Sequence, residues 1–331
     1  MLSEPIDDPA AWRGDALTDR TDWQRTLTSR EIAELDACVC ALDGRNFLEL
    51  KRGDFPFDAL VPLCQSVLET MEDGRGFTLL RGLPVQRWGE EGTRIALWGI
   101  GTHLGWAEPQ DGAGAQMHDV RDIGRKFGSD DTIRYFQTNQ AIEFHNDGAD
   151  IFALLCLNRG GKGGRSRIMS AVEVFNELAR RRPDLAETLQ QDFHFDARGQ
   201  HPDGARCQVH PVYSHHAGKL NVLLKTAYIH SAQRFPEVPR LSERQTEALS
   251  ELNALMEEDG MALEFDPQPG DVIVASNHVV LHGRTAYVDD NNAGQNRHML
   301  RLWLTIPNGR PLPPHYAQTR EFGPSYARRM A

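Results

Sequence analysis

Short apolar or alternating runs, each bounded by glycine, proline, asparagine or aspartate, dominate the chain from Gly76 onward. They are "GFTLLRGL", "IRYFQT", "IFALLCL", "VIVAS" and "HMLRLWL", at residues 76–83, 133–138, 151–157, 272–276 and 298–304. Such runs are typical of strands that are buried on at least one face. Many short strands interrupted by helical segments predict a jelly roll with helices packed outside, a mainly β member of the α+β class.

Helical patterns precede and interrupt these strands. The first opens with Thr28 and carries Glu31 three residues later, which is a capping-box pattern. The second has Asp58 as its predicted N-cap and Gly74 as its predicted stop. The last is predicted to begin at the cap Ser242. The predicted helices cover residues 28–42, 58–74, 170–189 and 242–260.

The length and the even composition predict one domain overall. With 331 residues, 40% of them hydrophobic, the chain can bury a large core. It has no internal repeat and no low-complexity linker. We expect a helical N-terminal segment, residues 1–75, packed on a barrel domain with helical inserts, residues 76–331.

The charge pattern argues against several classes of partner. The formal net charge is −11 and no run is rich in Lys or Arg, so neither nucleic acid nor an anionic membrane surface is expected as the main partner. No stretch of about 18 apolar residues is present to span a bilayer, and the N-terminus is acidic where a secretory signal is basic. The scattered cysteines are expected to be reduced. We expect a cytoplasmic protein with a small-molecule substrate, and a homo-oligomer stays open.

The segment "FHNDGAD", residues 144–150, places a histidine and a carboxylate two positions apart. If residues 142–147 form a strand, His145 and Asp147 project to one face while Asn146 turns away. A neutral imidazole and a carboxylate suit iron, zinc or manganese, and a buried carboxylate needs a cation to offset its desolvation. The alternative is a hydrogen bond from His145 to Asp147 or to the backbone, because so short a motif is common by chance.

A second histidine-bearing segment lies far along the chain, in "PGDVIVASNHVVLHGRTAY". His282 is the candidate third ligand. Two histidines and a carboxylate form the facial triad of non-haem Fe(II) oxygenases, which leaves metal positions open for co-substrate and O2. His278 competes with His282 for this role, and we expect it instead to pack or hydrogen-bond near the end of the sheet.

Four elements occur in a fixed order over most of the chain: "FHNDGAD", "GGRSRIMSAVEVFNEL", "LHGRTAY" and "NRHMLRLWL". In this order they resemble the TauD/TfdA (taurine dioxygenase-like) family of Fe(II)/2-oxoglutarate-dependent oxygenases. That family has an HxD pair, a GG-x-Thr/Ser segment with a helix, a distal HGR-like histidine and an arginine-rich terminal strand. The resemblance implies a double-stranded β-helix (jelly roll, cupin-like). It also implies Fe(II) held by His145, Asp147 and His282, with 2-oxoglutarate and O2 as co-substrates.

The distal carboxylate of 2-oxoglutarate needs a fixed cation inside the barrel, and arginine holds a carboxylate bidentately. If "NRHMLRLWL" is a strand, Arg297 and Arg301 face the same way. By resemblance, Arg297 aligns with the arginine that binds this carboxylate. Ser166 takes the place of the family's threonine and keeps its hydroxyl donor. The alternative for both arginines is a surface strand with snorkelling cations. Arg284 either orients metal-bound or substrate groups or pairs with an acidic neighbour.

Arg301 bears on the substrate through the resemblance. In taurine-oxidising members the matching arginine grips the anionic head group, and in other members it helps hold the metal-bound carboxylate of 2-oxoglutarate. Taurine itself is not expected, because Ala141 stands where those members have asparagine and "WAEPQ", residues 106–110, lacks their histidine. Substrate contacts are expected among Gln110, Tyr135, Gln137 and Phe144, with plain barrel packing as the alternative for each.

The resemblance implies hydroxylation of an unactivated C–H bond in a small molecule, with release of succinate and CO2, and Arg301 suggests that this molecule is anionic. Halogenating relatives carry a small residue at the position of Asp147, so the carboxylate favours hydroxylation, while desaturation and ring closure stay open. A zinc-dependent hydrolase is one alternative, since the same triad binds zinc, but it gives Arg297 and Ser166 no role. A non-catalytic small-molecule-binding barrel on the same fold is the other.

Overall fold

The computed structural model describes residues 1–126, 133–201, 203–289 and 296–330. Within these ranges the helices are α1 (Asp15–Thr18), α2 (Ser29–Ala41), α3 (Leu60–Asp73), α4 (Val85–Leu104), α5 (Ala171–Arg181), α6 (Pro183–Thr188), α7 (Thr226–Ala232), α8 (Glu243–Met256) and α9 (Gly323–Met330). Short 3-10 helices lie at Phe47–Glu49, Arg52–Asp54, Tyr135–Gln137 and Pro314–Gln318.

The strands in the same ranges are β1 (Gln24–Thr26), β2 (Phe77–Arg81), β3 (Trp106–Ala107), β4 (Met117–Val120), β5 (Ile142–His145), β6 (Ile151–Asn158), β7 (Lys162–Gly163), β8 (Ser166–Ser170), β9 (Asp192–Asp196), β10 (Cys207–Pro211), β11 (Tyr213–His216), β12 (Lys219–Val222), β13 (Ala262–Phe265), β14 (Val272–Ser276), β15 (Val280–Arg284), β16 (Tyr287–Val288) and β17 (His298–Thr305).

Two sheets form the barrel. The larger has the order β1-β2-β14-β6-β17-β3, with β4 also paired to β17, and the smaller has the order β13-β8-β15-β5. Every pairing in them is antiparallel except that of β1 with β2. This is the mainly β jelly roll with added helices that the sequence predicts, and the prediction is confirmed.

Strand β17 shows how one sequence serves two faces of the larger sheet. Leu300, Leu302 and Leu304 pack in the hydrophobic cluster formed with α2, α3 and α4 on the outer face. Trp303 packs in the second cluster, which is shared with side chains of the smaller sheet such as Leu281. The period of two therefore places the odd-numbered residues of β17 inside the barrel.

The start of α3 differs from the prediction. The helix begins at Leu60, and the side chain of Asp58 does not cap it. Glu34 of the neighbouring helix α2 supplies the acceptor instead, because its carboxylate receives the backbone N–H groups of Asp58, Ala59 and Leu60 at 3.1, 2.7 and 3.1 Å. A tertiary contact thus replaces the local cap. The predicted stop at Gly74 is confirmed.

The other predicted helices are present with one break. The capping box of Thr28 and Glu31 is formed, and Ser242 accepts the N–H of Gln245 at 3.1 Å at the start of α8. The helix predicted over 170–189 is two helices, α5 and α6, because proline at position 183 cannot continue the hydrogen-bond ladder.

The strand predicted at 133–138 is wrong. Residues Tyr135–Gln137 form a 3-10 turn, which the side chain of Gln137 caps by accepting the N–H of Arg134 at 3.0 Å. This local bond offers the backbone an alternative to pairing with a strand. The predicted strands at 76–83, 151–157, 272–276 and 298–304 are present as β2, β6, β14 and β17.

The N-terminal residues contribute a strand as well as helices. Strand β1 pairs in parallel with β2, and Trp12 and Trp23 are buried in the same hydrophobic cluster as Trp303. These contacts agree with one domain, and the division at residue 75 stays a prediction. None of the helices in the described ranges combines the length and apolar composition that a membrane span requires.

Candidate active site

A cavity of about 510 Å³ opens between the two sheets. Its walls come from β6 and β17 of the larger sheet and from β5, β8 and β15 of the smaller one. All ten residues that the sequence singles out as candidate metal, co-substrate or substrate contacts line it. The fold therefore gathers into one site residues that are spread from position 110 to position 301.

The three candidate metal ligands meet in this cavity. His145 ends β5 and lies directly opposite His282 of β15, and the centroids of their rings are 4.3 Å apart. The carboxylate of Asp147 lies 3.8 Å from Nε2 of His145 and 3.6 Å from Nε2 of His282. One ligand atom from each residue lies within 4.8 Å of the other two, which is close enough for the three to hold one metal ion.

Two asparagines fix the backbone between the ligands. Strand β5 ends at His145, one residue earlier than a strand through Asp147 would require. The fully buried side chain of Asn146 accepts the N–H of Leu224 at 2.7 Å and donates to the carbonyl of Asn277 at 3.1 Å. Asn277 in turn accepts the N–H of Asp147 at 3.1 Å. The position of Asp147 is thus set by side-chain hydrogen bonds and not by strand pairing.

The ionisation of the cluster suits a metal site. Burial lowers the pKa of His145, and burial together with His145 lowers the pKa of His282 to about 3, so both rings are neutral. Burial opposes ionisation of Asp147, but the positive charge of Arg301 outweighs it and holds the pKa of the carboxyl well below the usual range. Nδ1 of His145 donates to the carbonyl of Glu143 at 2.9 Å, which directs the Nε2 lone pair toward the cavity.

His278 lies outside this cluster. Its Nε2 is 2.9 Å from the carboxylate of Asp150, and its ring stacks on Phe322 at 4.9 Å. The hydrogen bond to Asp150 and the stacking on Phe322 agree with the expectation that His278 packs and hydrogen-bonds. A second group of metal-type ligands in the described residues, Glu90 with Asp119 and His298, already surrounds the guanidinium of an arginine at position 94.

Arg301 is paired with one of the candidate metal ligands. Its Nη1 donates to the two oxygens of Asp147 at 3.0 and 3.3 Å, and its Nε donates to the side-chain oxygen of Gln110 at 2.7 Å. The amide of Gln110 donates back to the carbonyl of Arg301 at 2.7 Å. Gln110 therefore lines the cavity as a residue that positions Arg301.

The opposite end of the cavity holds two buried cations. Arg297 is 1% exposed, and Nε and Nη1 of both Arg297 and Arg284 have no hydrogen-bond partner. Burial lowers the pKa of both guanidiniums, and burial with the repulsion from Arg297 lowers that of Arg284 to about 10. Within the described part of the chain, no carboxylate lies within 4.0 Å of either guanidinium, although Asp122 and Asp289 act on Arg284 from a greater distance. Both roles that the sequence left open for Arg284 stay predictions.

Other polar groups complete this end. Ser166 of β8 is paired across the smaller sheet with Arg284, so both project from the same face. The ring of Tyr287 lies under both guanidiniums, at 4.6 Å from Arg284 and 5.3 Å from Arg297, and its buried hydroxyl has no partner. Gly164 has a φ of +71°, and a Cβ there would lie 3.0 Å from Nε of Arg297. The glycine allows the backbone to approach the guanidinium closely.

The remaining candidate substrate contacts are divided. Tyr135 and Gln137 line the cavity from the 3-10 turn, where the side-chain oxygen of Gln137 is used as a cap. Phe144 is buried in the hydrophobic cluster that the smaller sheet shares with α5 and α8, with the guanidinium of Arg167 over its ring at 4.4 Å. This environment favours the packing role for Phe144.

Among the polar residues of the cavity wall that sequence reasoning missed are Arg134, Lys225, Tyr228 and Arg320. They come from three segments that no motif or spacing relates to the metal ligands. Arg284 was easier to find, because it follows His282 by two residues on β15 and a spacing of two predicts the same face.

Gly283, between His282 and Arg284, offers a test of how tightly the site is built. A Cβ at this position would lie 2.7 Å from the carbonyl oxygen of Ile142 on β5. We therefore expect Gly283→Ala to separate β15 from β5, to lower stability by about 1–3 kcal/mol and to weaken metal binding. Gly53→Ala is the control, since no atom lies within 4 Å of its Cβ. The measurements are urea unfolding and metal titration of both variants. Equal stability and equal metal affinity of the two variants would contradict this account of the strand pair.

A jelly-roll barrel that gathers two histidines and a carboxylate in one cavity defines the class of non-haem metal-dependent oxygenases. Comparison with known proteins identifies the family. The chain belongs to the TauD/TfdA family, whose description, "Taurine catabolism dioxygenase TauD, TfdA family", matches residues 44–303. The protein is thus an Fe(II)/2-oxoglutarate-dependent oxygenase that uses Fe(II), 2-oxoglutarate and O2 on a small-molecule substrate, as the resemblance implied.

Individual proteins are similar over nearly the whole chain. FR-33289 synthase from Streptomyces rubellomurinus is 29% identical over 321 residues, which cover 95% of this chain and 94% of that protein. Asparagine oxygenase in complex with Fe(II), 2S,3S-3-hydroxyasparagine and succinate superposes with a TM-score of 0.66 at 18% identity, covering 86% and 94% of the two chains. The non-heme iron oxygenase OrfP, in complex with Fe and alpha-ketoglutaric acid, superposes with a TM-score of 0.63 at 16% identity over the same shares.

Proposed function

We propose that His145, Asp147 and His282 hold the Fe(II) ion, and that Arg297 and Ser166 hold the distal carboxylate of 2-oxoglutarate. The observation that carries this proposal is the pair of buried guanidiniums, Arg284 and Arg297, with N–H groups that lack any partner. Buried donors of this kind are costly unless a ligand completes them. A carboxylate between them would accept hydrogen bonds and neutralise like charges that now repel.

The positions of these residues in the cavity suggest a separate role for each. Bound Fe(II) supplies the oxidative chemistry that couples decarboxylation of 2-oxoglutarate to succinate and CO2 with hydroxylation of a substrate C–H bond. Nε2 of each histidine and the carboxylate of Asp147 would hold the ion, and Nδ1 of His145 stays protonated against the carbonyl of Glu143. The rings of Phe152 and Trp303, which also line the cavity, exclude water from the reacting centre.

Arg301 is assigned to the metal centre and not to the substrate head group. Its guanidinium contacts Asp147 and Gln110 and lies 5.0 Å from the ring of Phe136 and 5.1 Å from that of Trp303. A cation held beside the ligand carboxylate can also attract the metal-bound carboxylate of 2-oxoglutarate. This placement supports the second of the two roles that the sequence left open.

The zinc hydrolase and the non-catalytic barrel are not favoured. Each accounts for the triad or the fold, but neither gives Arg284 and Arg297 a ligand. The family membership points to the oxygenase as well.

Anaerobic titration of the metal-free protein tests the proposal. We expect addition of Fe(II) and then 2-oxoglutarate to produce a weak visible charge-transfer band, and admission of O2 to release succinate. Zn²⁺ in place of Fe(II) is the control and should give neither. Tight zinc binding with no band from Fe(II) and 2-oxoglutarate would contradict the proposal and favour the hydrolase.

A further inference from the structure

A second group of cations lines the cavity beside the metal ligands. Lys225 follows Leu224, whose N–H is bonded to Asn146 between His145 and Asp147. Its side chain is only 10% exposed, and its ammonium influences the pKa of all three candidate ligands. Arg320 lines the same wall. Its side chain is 14% exposed, and its Nη2 donates to the backbone carbonyl of the residue at position 110 at 3.0 Å.

One carboxylate serves both of these cations. Glu321 lies 2.6 Å from Nζ of Lys225 and 3.8 Å from Nη1 of Arg320, and it also accepts the amide of Gln208 at 2.6 Å. Arg134 adds a further positive charge to the wall. Burial lowers its pKa, and Arg320 acts in the same direction. The wall therefore keeps a net positive charge that Glu321 does not balance.

The two groups of cations lie at different positions along β5. Arg284 is paired with Ile142 at the start of β5, while Lys225 lies beside Asn146, just after the strand ends. These two positions on the chain are four residues apart, which corresponds to about 13 Å of extended strand. 2-Oxoglutarate has two carboxylates, and the proposed site uses one at Arg297 and one at the metal. Neither is left for Lys225.

The acidic residues on the cavity wall do not compete for these cations. Asp111 is engaged with His118 at 2.9 Å and with backbone N–H groups. Asp119 is paired with Arg94 and with a histidine, and Asp147 is a candidate metal ligand. Of the acidic residues described on this wall, only the exposed Glu143 is not engaged in these ways.

We propose that Lys225 and Arg320 form a subsite for an oxyanion group of the substrate, such as a carboxylate, sulfonate or phosphoryl group. This inference rests on the proposed function, because it takes the second ligand of the cavity to be the substrate. It assigns the anionic head group to residues other than Arg301. The C–H bond to be hydroxylated then lies between this subsite and the metal.

Calorimetric titration with inorganic phosphate tests the subsite. The protein is loaded anaerobically with Fe(II) and saturating 2-oxoglutarate, so that the site at Arg284 and Arg297 is occupied by the co-substrate. We expect the wild type to bind phosphate, and Lys225→Met and Arg320→Met each to weaken binding about ten-fold or more. Lys219→Met is the matched control, because Lys219 is paired with a single carboxylate, Asp73, at the surface. Its affinity for phosphate should equal that of the wild type.

A second titration separates this proposal from the cofactor site. In an Arg297→Met background, phosphate binding that still depends on Lys225 supports the subsite even if 2-oxoglutarate fails to bind. The Lys225→Gln variant can still donate a hydrogen bond to Glu321. If this variant loses phosphate binding while its melting temperature is unchanged, a folding defect is excluded. Phosphate binding that is absent from the wild type, or unchanged in both variants, overturns the subsite.

Discussion

Replacing His282 with alanine is expected to lower the affinity for Fe(II) about 100-fold or more and to abolish 2-oxoglutarate turnover. Loss of a hydrogen-bond partner of a metal ligand typically costs about 10–100-fold in metal affinity or activity, so loss of the ligand itself should cost at least as much. His282 is one of three candidate ligands, and its low pKa leaves a neutral ring whose lone pair is available at neutral pH. Neither Asp147 nor His145 can take its place.

The measurement is the anaerobic Fe(II) titration, followed by succinate release on addition of O2. His215→Ala is the matched control, since His215 is exposed on β11 and lines no part of the cavity. Melting temperatures of both variants without metal separate loss of a ligand from loss of the fold. If His282→Ala keeps near wild-type affinity for Fe(II), the proposed triad is wrong, and His278 becomes the residue to test next.

The sequence predicts the cluster of candidate metal ligands because local geometry almost determines its first two members. The spacing of two in His145 and Asp147, and the order of the four elements, do not depend on distant contacts. Even so, strand alternation is only part of the reason why His145 and Asp147 project to the same side. Strand β5 ends at His145, and the backbone of Asp147 is set by Asn277, which is 130 positions away.

Elements whose ends depend on distant residues are predicted poorly. Asp58 has the right side chain for a cap, yet Glu34 of α2 takes its place and receives three N–H groups at the start of α3. The residues 133–138 have the composition of a strand but form a turn that Gln137 caps. In both cases hydrophobic pattern and propensity are outweighed by a polar contact that the pattern does not encode.

The cations proposed as an oxyanion subsite could not be predicted from the sequence either. Lys225 and Arg320 carry no motif, and their charges matter only because the fold brings them to one buried carboxylate, Glu321. Lysine and arginine are usually exposed, so sequence alone favours a surface position for both. Their burial beside the candidate metal ligands is information that only the three-dimensional structure provides.

At the end of the cavity formed by Arg284 and Arg297, Arg297→Met is expected to weaken 2-oxoglutarate binding about 100-fold. Removing one partner of a buried, hydrogen-bonded ion pair costs about 3–5 kcal/mol, and Arg284 would retain part of the attraction. Arg297→Lys should lose less, because it keeps the charge and gives up the bidentate geometry. The measurement is the half-saturation concentration of 2-oxoglutarate in the charge-transfer band. Arg206→Met, which removes a surface arginine paired with Glu237, is the control.

The same substitution should stabilise the protein when no ligand is bound. Arg297 is 1% exposed and leaves Nε and Nη1 without partners, so methionine removes both an unsatisfied cation and its repulsion of Arg284. 2-Oxoglutarate with metal should raise the melting temperature of the wild type, by linkage of binding to folding, and have little effect on Arg297→Met. A destabilised ligand-free variant that still gains full protection from 2-oxoglutarate would show that Arg297 serves the fold, and that another cation holds the carboxylate.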